Sequence, residues 1–185
     1  MGLSVEAVDS LTGPVLGRPK SATFRTCDVV GLDTLVHVAK GVHDNCPNDE
    51  AKETFAIPEF IQKMVDNDWL GSKSGQGFYK KVKDEKGNSQ ILSLNLETLE
   101  YTEKDKVRYD VIGEAKKIDD LKERYQLMVN SDGEAGDFYR KTFYALFQYV
   151  THRIPEISDE LYRIDDGMRA GFGWQLGPFE SWDAL

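Results

Sequence analysis

Cysteine is scarce in this sequence: Cys27 and Cys46 are the only two, and neither belongs to a Cys-x-x-Cys or histidine-partner pattern. That excludes a disulfide framework and a zinc-finger site, and it predicts free thiols in a reducing, cytoplasmic setting. Long apolar runs are missing as well; none approaches the roughly 18 residues of a membrane span. The opening MGLSVEAVDS lacks the basic start and apolar block of a signal peptide, and Glu6 stands where myristoylation needs Ser or Thr. Positive charge is the minority: 23 Lys and Arg face 32 Asp and Glu, for a net charge of −9 and a pI near 4.9. The expected partners therefore include neither nucleic acid nor membrane, since phosphate backbones and anionic lipids are held by clustered cations. The one local gathering of lysines, KSGQGFYKKVK, reads as a hairpin edge protected against strand addition. Histidine numbers three, and His37, His43 and His152 show no metal-ligand or nucleophile spacing. His37 lies in the apolar helical stretch TLVHVAK and reads as structural; none of the three is assigned a catalytic role, and no metal site is expected.

What is present is mostly helical periodicity. Ser4 predicts an N-cap for a helix through Val5, Val8 and Leu11, closed by Gly13-Pro14. Pro19 and Ser21 predict the first turn of a second helix carrying Phe24, Cys27 and Val30. Leu32 continues the same helical spacing, Gly31 breaks or bends the element, and Asp33 is expected to cap a third helix. A fourth is expected from near Pro58 to Gly71. The period then changes to two: alternating residues around Lys86-Gly87-Asn88, with a further strand near Glu100, predict a small β insertion from about Gly77 to Thr102. Helices are expected over Ile112 to Met128, Gly136 to Arg153 and Ser158 to Ala170. In the second of these, Phe138, Phe143 or Tyr144, Phe147 and Val150 or Thr151 form a broad apolar face.

The two ends of the chain echo each other. Asp9 aligns with Asp165, Gly17 with Gly173, Phe24 with Phe179 and Asp28 with Asp183, with a one-residue slip between. In each copy an acidic helix ends in a glycine turn, a proline loop follows, and an aromatic and an aspartate sit on the next helix, which predicts a duplicated helical unit. Asp28 and Asp183 are expected to cap or brace a helix within their own copies, and Trp174, Phe179 and Trp182 form the aromatic end of the second.

The strings GPVLGRPKSATFRTCDVVGLD, GSKSGQGFYKK and RIPEISDELYRIDDGMRAGFGWQLGPFESWDAL closely resemble the C-terminal helical domain of the 3-hydroxyacyl-CoA dehydrogenases of fatty acid β-oxidation, in its two-copy form. The resemblance implies a mainly α fold: a duplicated helical domain of the 6-phosphogluconate dehydrogenase C-terminal-like type, with a small β-hairpin insertion. It divides the chain into a first repeat at 1–82, a linker and insertion at 83–132, and a second repeat at 133–185. It also implies an NAD-dependent (S)-3-hydroxyacyl-CoA dehydrogenase whose N-terminal Rossmann domain binds NAD and carries the catalytic His and Glu. The family's catalytic Asn falls before the position of Ser4, so no catalytic or cofactor-binding residue is expected in this sequence. The GQGFYK stretch lacks the third glycine of a dinucleotide loop and precedes a strand where such a loop would follow one.

In the family the helical domain closes on the Rossmann domain with acyl-CoA in the cleft. Arg18, Pro19, Lys20, Ser21 and Phe24 are expected to bind substrate or line that face, with Lys20 and Ser21 opening a helix N-terminus favourable to anions. The expected molecule is a monomer, one repeat standing in for a partner subunit, and inactive without its Rossmann domain. A non-catalytic helical interaction module is the alternative.

Overall fold

The structure, a computed structural model, describes residues 2–185. It is mainly helical, with one small antiparallel sheet, and divides into two compact units. The sheet unit comprises Gly2–Asp9 with Thr23–Lys106; the helical unit comprises Ser10–Ala22 with Val107–Leu185.

Helix α1 (Val5–Thr12) starts where expected, with Ser4 Oγ accepting the Ala7 amide at 3.2 Å. In the sheet unit follow α2 (Phe24–Val30), α3 (Leu32–Asn45), α4 (Glu59–Asp66) and strands β1 (Tyr79–Lys83), β2 (Ser89–Leu94) and β3 (Tyr101–Glu103). The strands run in the order β1-β2-β3, and β1 pairs antiparallel with β2 so that Val82 faces Gln90. Asp84 closes their turn, its carboxylate accepting the amides of Lys86 and Asn88 at 2.9 and 2.7 Å. Val5, Leu32, Ile61, Met64, Phe78 and Leu94 form the buried core of this unit.

In the helical unit α5 (Asp110–Ala115), α6 (Leu121–Val129), α7 (Gly133–His152), α8 (Leu161–Phe172) and α9 (Pro178–Asp183) complete the chain. The expected apolar face of α7 is buried: Phe138, Phe143, Phe147 and Val150 are all less than a tenth exposed, while Tyr144 points outward at 57%. Phe143 meets Tyr125 at 4.8 Å and Phe147 at 5.7 Å, and Phe147 stacks on Trp182 at 5.2 Å.

Several local expectations are corrected. The second helix begins at Phe24, because Pro19 to Thr23 form a turn in which the Ala22 amide bonds the Pro19 carbonyl at 3.0 Å. Asp33 does not cap α3; it sits in the first turn and pairs with Lys73 at 2.5 Å. Helix α4 stops at Asp66, where Asp68 turns into the left-handed region and the Trp69 amide reaches back to Met64. The single helix expected from Ile112 to Met128 is two, because Asp120 caps a new start at α6 by accepting the Lys122 and Glu123 amides. His37, expected in an apolar setting, is exposed on α3.

Candidate functional site

The motif residues converge on three carboxylates. Asp9, on α1, receives the amides of Thr23, Phe24 and Arg25 at 3.0, 2.6 and 3.1 Å, and the Tyr79 hydroxyl at 2.8 Å. The leading amides of α2, the helix start that the sequence offered to an anion, are thus satisfied by a carboxylate of the same chain. Asp28 is buried at 1% exposure and accepts the Phe78 and Tyr79 amides at 2.8 and 2.9 Å. It therefore braces the entry to β1, where capping or bracing of a helix was expected. Gly77 explains the spacing of GQGF: a Cβ there would lie 2.1 Å from Asp28 Oδ1. Of the two glycines that superficially suggest a phosphate loop, Gly77 admits this carboxylate and Gly75 turns the chain at φ 84° with open space around it, so the stretch does not fit a dinucleotide.

The third carboxylate repeats the pattern. Asp165, buried on α8, accepts the Phe179 and Glu180 amides at 2.8 and 3.2 Å at the start of α9. A Cβ on Gly177 would lie 2.2 Å from Asp165 Oδ1. The glycine turns match as well: Gly17 adopts φ 63°, ψ 30° and Gly173 φ 65°, ψ 29°, left-handed closures that a side chain would strain. The aligned pair Asp28 and Asp183 is not alike, because Asp183 is exposed at the end of α9.

These groups are poor acids, bases and nucleophiles. Burial pushes the Asp28 carboxyl above its ordinary value, and its two amide bonds and Arg25 pull it back. Burial, with Asp28 and Asp9 beside it, pushes the Cys27 thiol up to about 11, so it stays protonated near neutrality. Burial and the Asp9 carboxylate push Tyr79 up as well, keeping its hydroxyl a donor.

A raised carboxyl binds its proton more tightly folded than unfolded. Asp28 therefore contributes stability that is fully present below about pH 4 and is lost as pH rises through the folded value. Relative to Asp28→Asn, the wild-type chain is expected to lose stability over that window. A difference that instead grows with pH, in urea titrations at stepped pH, would contradict the assignment.

The expected substrate residues divide between the units. Phe24 packs in the sheet unit, its ring 4.5 Å from Phe78. Pro19 and Lys20 are exposed and Ser21 half-buried in the helical unit. Arg18 lies in the same unit with its guanidinium 3.8 Å over the Trp174 ring, and the adjacent Gln175 amide bonds the Gly17 carbonyl at 2.9 Å. Sequence reasoning missed Asp9 and Asp165 as caps and Trp174 as a stacking platform; the signal available was the repeat itself. Among the described residues, no group of three His, Cys, Asp or Glu could hold a metal ion, and no helix is long and apolar enough to cross a membrane.

Residues 1–81 match the family model described as 3-hydroxyacyl-CoA dehydrogenase, C-terminal domain. The chain is 46% identical over its full length to a Bacillus subtilis protein named "Probable 3-hydroxyacyl-CoA dehydrogenase", of which it spans 23%. Over 49% of the chain it is 53% identical to a Deinococcus radiodurans protein of the same name, covering 25% of that protein. A Psychrobacter protein named "Fatty acid oxidation complex subunit alpha" is 43% identical over 32% of the chain and 8% of its own length. No solved structure matches. The chain thus spans about a quarter of the length of the Bacillus subtilis and Deinococcus radiodurans relatives, 23% and 25%. The strings GRPKSATFRTCDVVGLD and GSKSGQGFYKK both fall within the first 81 residues, the segment that matches the 3-hydroxyacyl-CoA dehydrogenase C-terminal domain.

Proposed function

We propose that this chain is the substrate-side part of an NAD-dependent (S)-3-hydroxyacyl-CoA dehydrogenase of fatty acid oxidation. The full-length identity to the Bacillus subtilis relative carries the reading. Its role is to provide a stiff wall against which an acyl-CoA thioester lies and from which water is excluded, while hydride passes to NAD held by a Rossmann domain of the same protein. Pro19, Lys20 and Ser21, with Arg18, offer a polar edge in the helical unit, and Phe24 an apolar residue in the sheet unit, for contact with that substrate. Free Cys27 and Cys46 accord with a cytoplasmic location. The chain carries two copies of one helical unit of the 6-phosphogluconate dehydrogenase C-terminal-like type. The matched caps of Asp9 and Asp165, and the matched turns at Gly17 and Gly173, support the duplication. With two copies in one polypeptide, a monomer is the expected state.

Hydride transfer needs groups that the braced carboxylates and the protonated Cys27 do not supply. The chain by itself is therefore expected to show no oxidation of NADH with acetoacetyl-CoA at 340 nm. Turnover above the buffer rate would overturn the assignment of catalysis to another part of the protein. Absence of acetoacetyl-CoA binding by calorimetry would remove the substrate-wall reading.

A further inference from the structure

We propose that Arg18, stacked on Trp174, is a receptor for a phosphate group. Arg18 is a half-buried cation with no counter-charge among the described residues. Its Nε is sealed from solvent and bonded to nothing, and no hydrogen bond or ion pair of its guanidinium exists among the described residues. The face of the guanidinium is covered by the indole at 3.8 Å, while the residue as a whole remains part-exposed. With Nε sealed and the face covered, the two Nη nitrogens form the edge open to an incoming anion. This is the geometry in which a guanidinium receives an oxyanion: aromatic on the flat side, donor fork at the rim.

The platform is held in place before any ligand arrives. Gln175 donates its amide to the Gly17 carbonyl at 2.9 Å, and the Tyr125 hydroxyl donates to the Leu16 carbonyl at 2.9 Å, so the residues beside Arg18 and Trp174 are fixed from both sides. Burial also holds the guanidinium below its ordinary value, with Tyr125 and Tyr139 pulling the other way. It stays charged, as arginine does, and a cation poorly served by water gains more from an anion than a surface arginine does. Lys20, exposed two positions on in the same turn, adds a second positive charge, which favours a phosphate dianion over a carboxylate. The source of that phosphate rests on the function proposed above: the nucleotide end of an acyl-CoA.

An arginine kept for packing would cost stability when removed. One kept for a ligand costs stability by being there, because an unpaired buried charge opposes folding. The 185-residue chain and its Arg18→Met, Arg18→Lys and Trp174→Leu variants are compared by calorimetry with inorganic phosphate, sodium acetate and coenzyme A, against sodium chloride at matched ionic strength. Phosphate is expected to bind the wild type in preference to acetate and chloride. Arg18→Met should weaken it about tenfold or more, Arg18→Lys less, and Arg18→Met without ligand should melt no lower than the wild type. Equal phosphate binding by wild type and Arg18→Met, or a wild type indifferent to phosphate over chloride, overturns the receptor. Should acyl-CoA bind while phosphate does not, the receptor falls and the substrate wall stands. If phosphate binds in an Arg18-dependent way and coenzyme A does not, the receptor stands and its assigned source falls.

Discussion

Asp9→Ala is expected to destabilise the sheet unit by about 3–5 kcal/mol, one of the two largest losses of any single substitution considered for this chain. The reason is the number of donors that one carboxylate serves. Removing it takes one shared acceptor from the amides of Thr23, Phe24 and Arg25 and from the hydroxyl of Tyr79 together. Helix α2 then begins without an acceptor, and the electrostatic match between a carboxylate and a helix N-terminus is lost with it. Asp183→Ala, at an exposed position, should change stability by no more than about 0.5 kcal/mol. Urea titration of both variants, followed by circular dichroism, makes the comparison. A loss below about 1 kcal/mol for Asp9→Ala would mean that water replaces the carboxylate freely and that the motif has another purpose.

The second large effect is steric. Gly77→Ala should cost about 3 kcal/mol or more, because its new Cβ would stand 2.1 Å from Asp28 Oδ1 and 2.6 Å from the Gly71 Cα, so the carboxylate must leave the amides it holds. Gly177→Ala meets the same obstacle in the second copy, 2.2 Å from Asp165 Oδ1. Comparable losses at these two positions are expected, whereas Gly113→Ala, with nothing within 4 Å of its added carbon, should be close to neutral or slightly stabilising. Melting curves of the three variants test the idea. Tolerance of alanine at Gly77 would show that Asp28 and the loop can separate, and would undo the explanation offered for GQGF.

Much of the fold could be read in advance because its signals are local. Ser4 ahead of an apolar-periodic stretch marks α1, Asp84 and Gly87 mark the β1-β2 turn, and the spacing of Phe143, Phe147 and Val150 marks the buried face of α7. The misplaced boundaries share a cause. Pro19 and Ser21 are good helix openers, yet the turn they form ends with Ala22 at φ 52°, and α2 starts where Asp9 can reach its amides. Asp119 and Asp120 lie inside a stretch of helical period, and only capping by Asp120 divides α5 from α6. The alignment of Asp28 with Asp183 was correct as a pattern of letters but not of roles. Asp28 has the GSKSGQGFYKK loop against it, whereas Asp183 stands exposed at the end of α9.

The sequence by itself determined the helical and strand periods, the glycine turns, the echo between the two ends and, through its motif strings, the family of the first 81 residues. Each of these depends on residues close together or on order along the chain. Only the tertiary structure decided which carboxylate holds which amides, that burial raises the Cys27 thiol, and that Arg18 rests on Trp174 with no counter-charge among the described residues. Those outcomes join positions separated by many turns of chain. Whether a charge is satisfied there depends on what the fold brings within about 3 Å of it, a distance that no local spacing encodes.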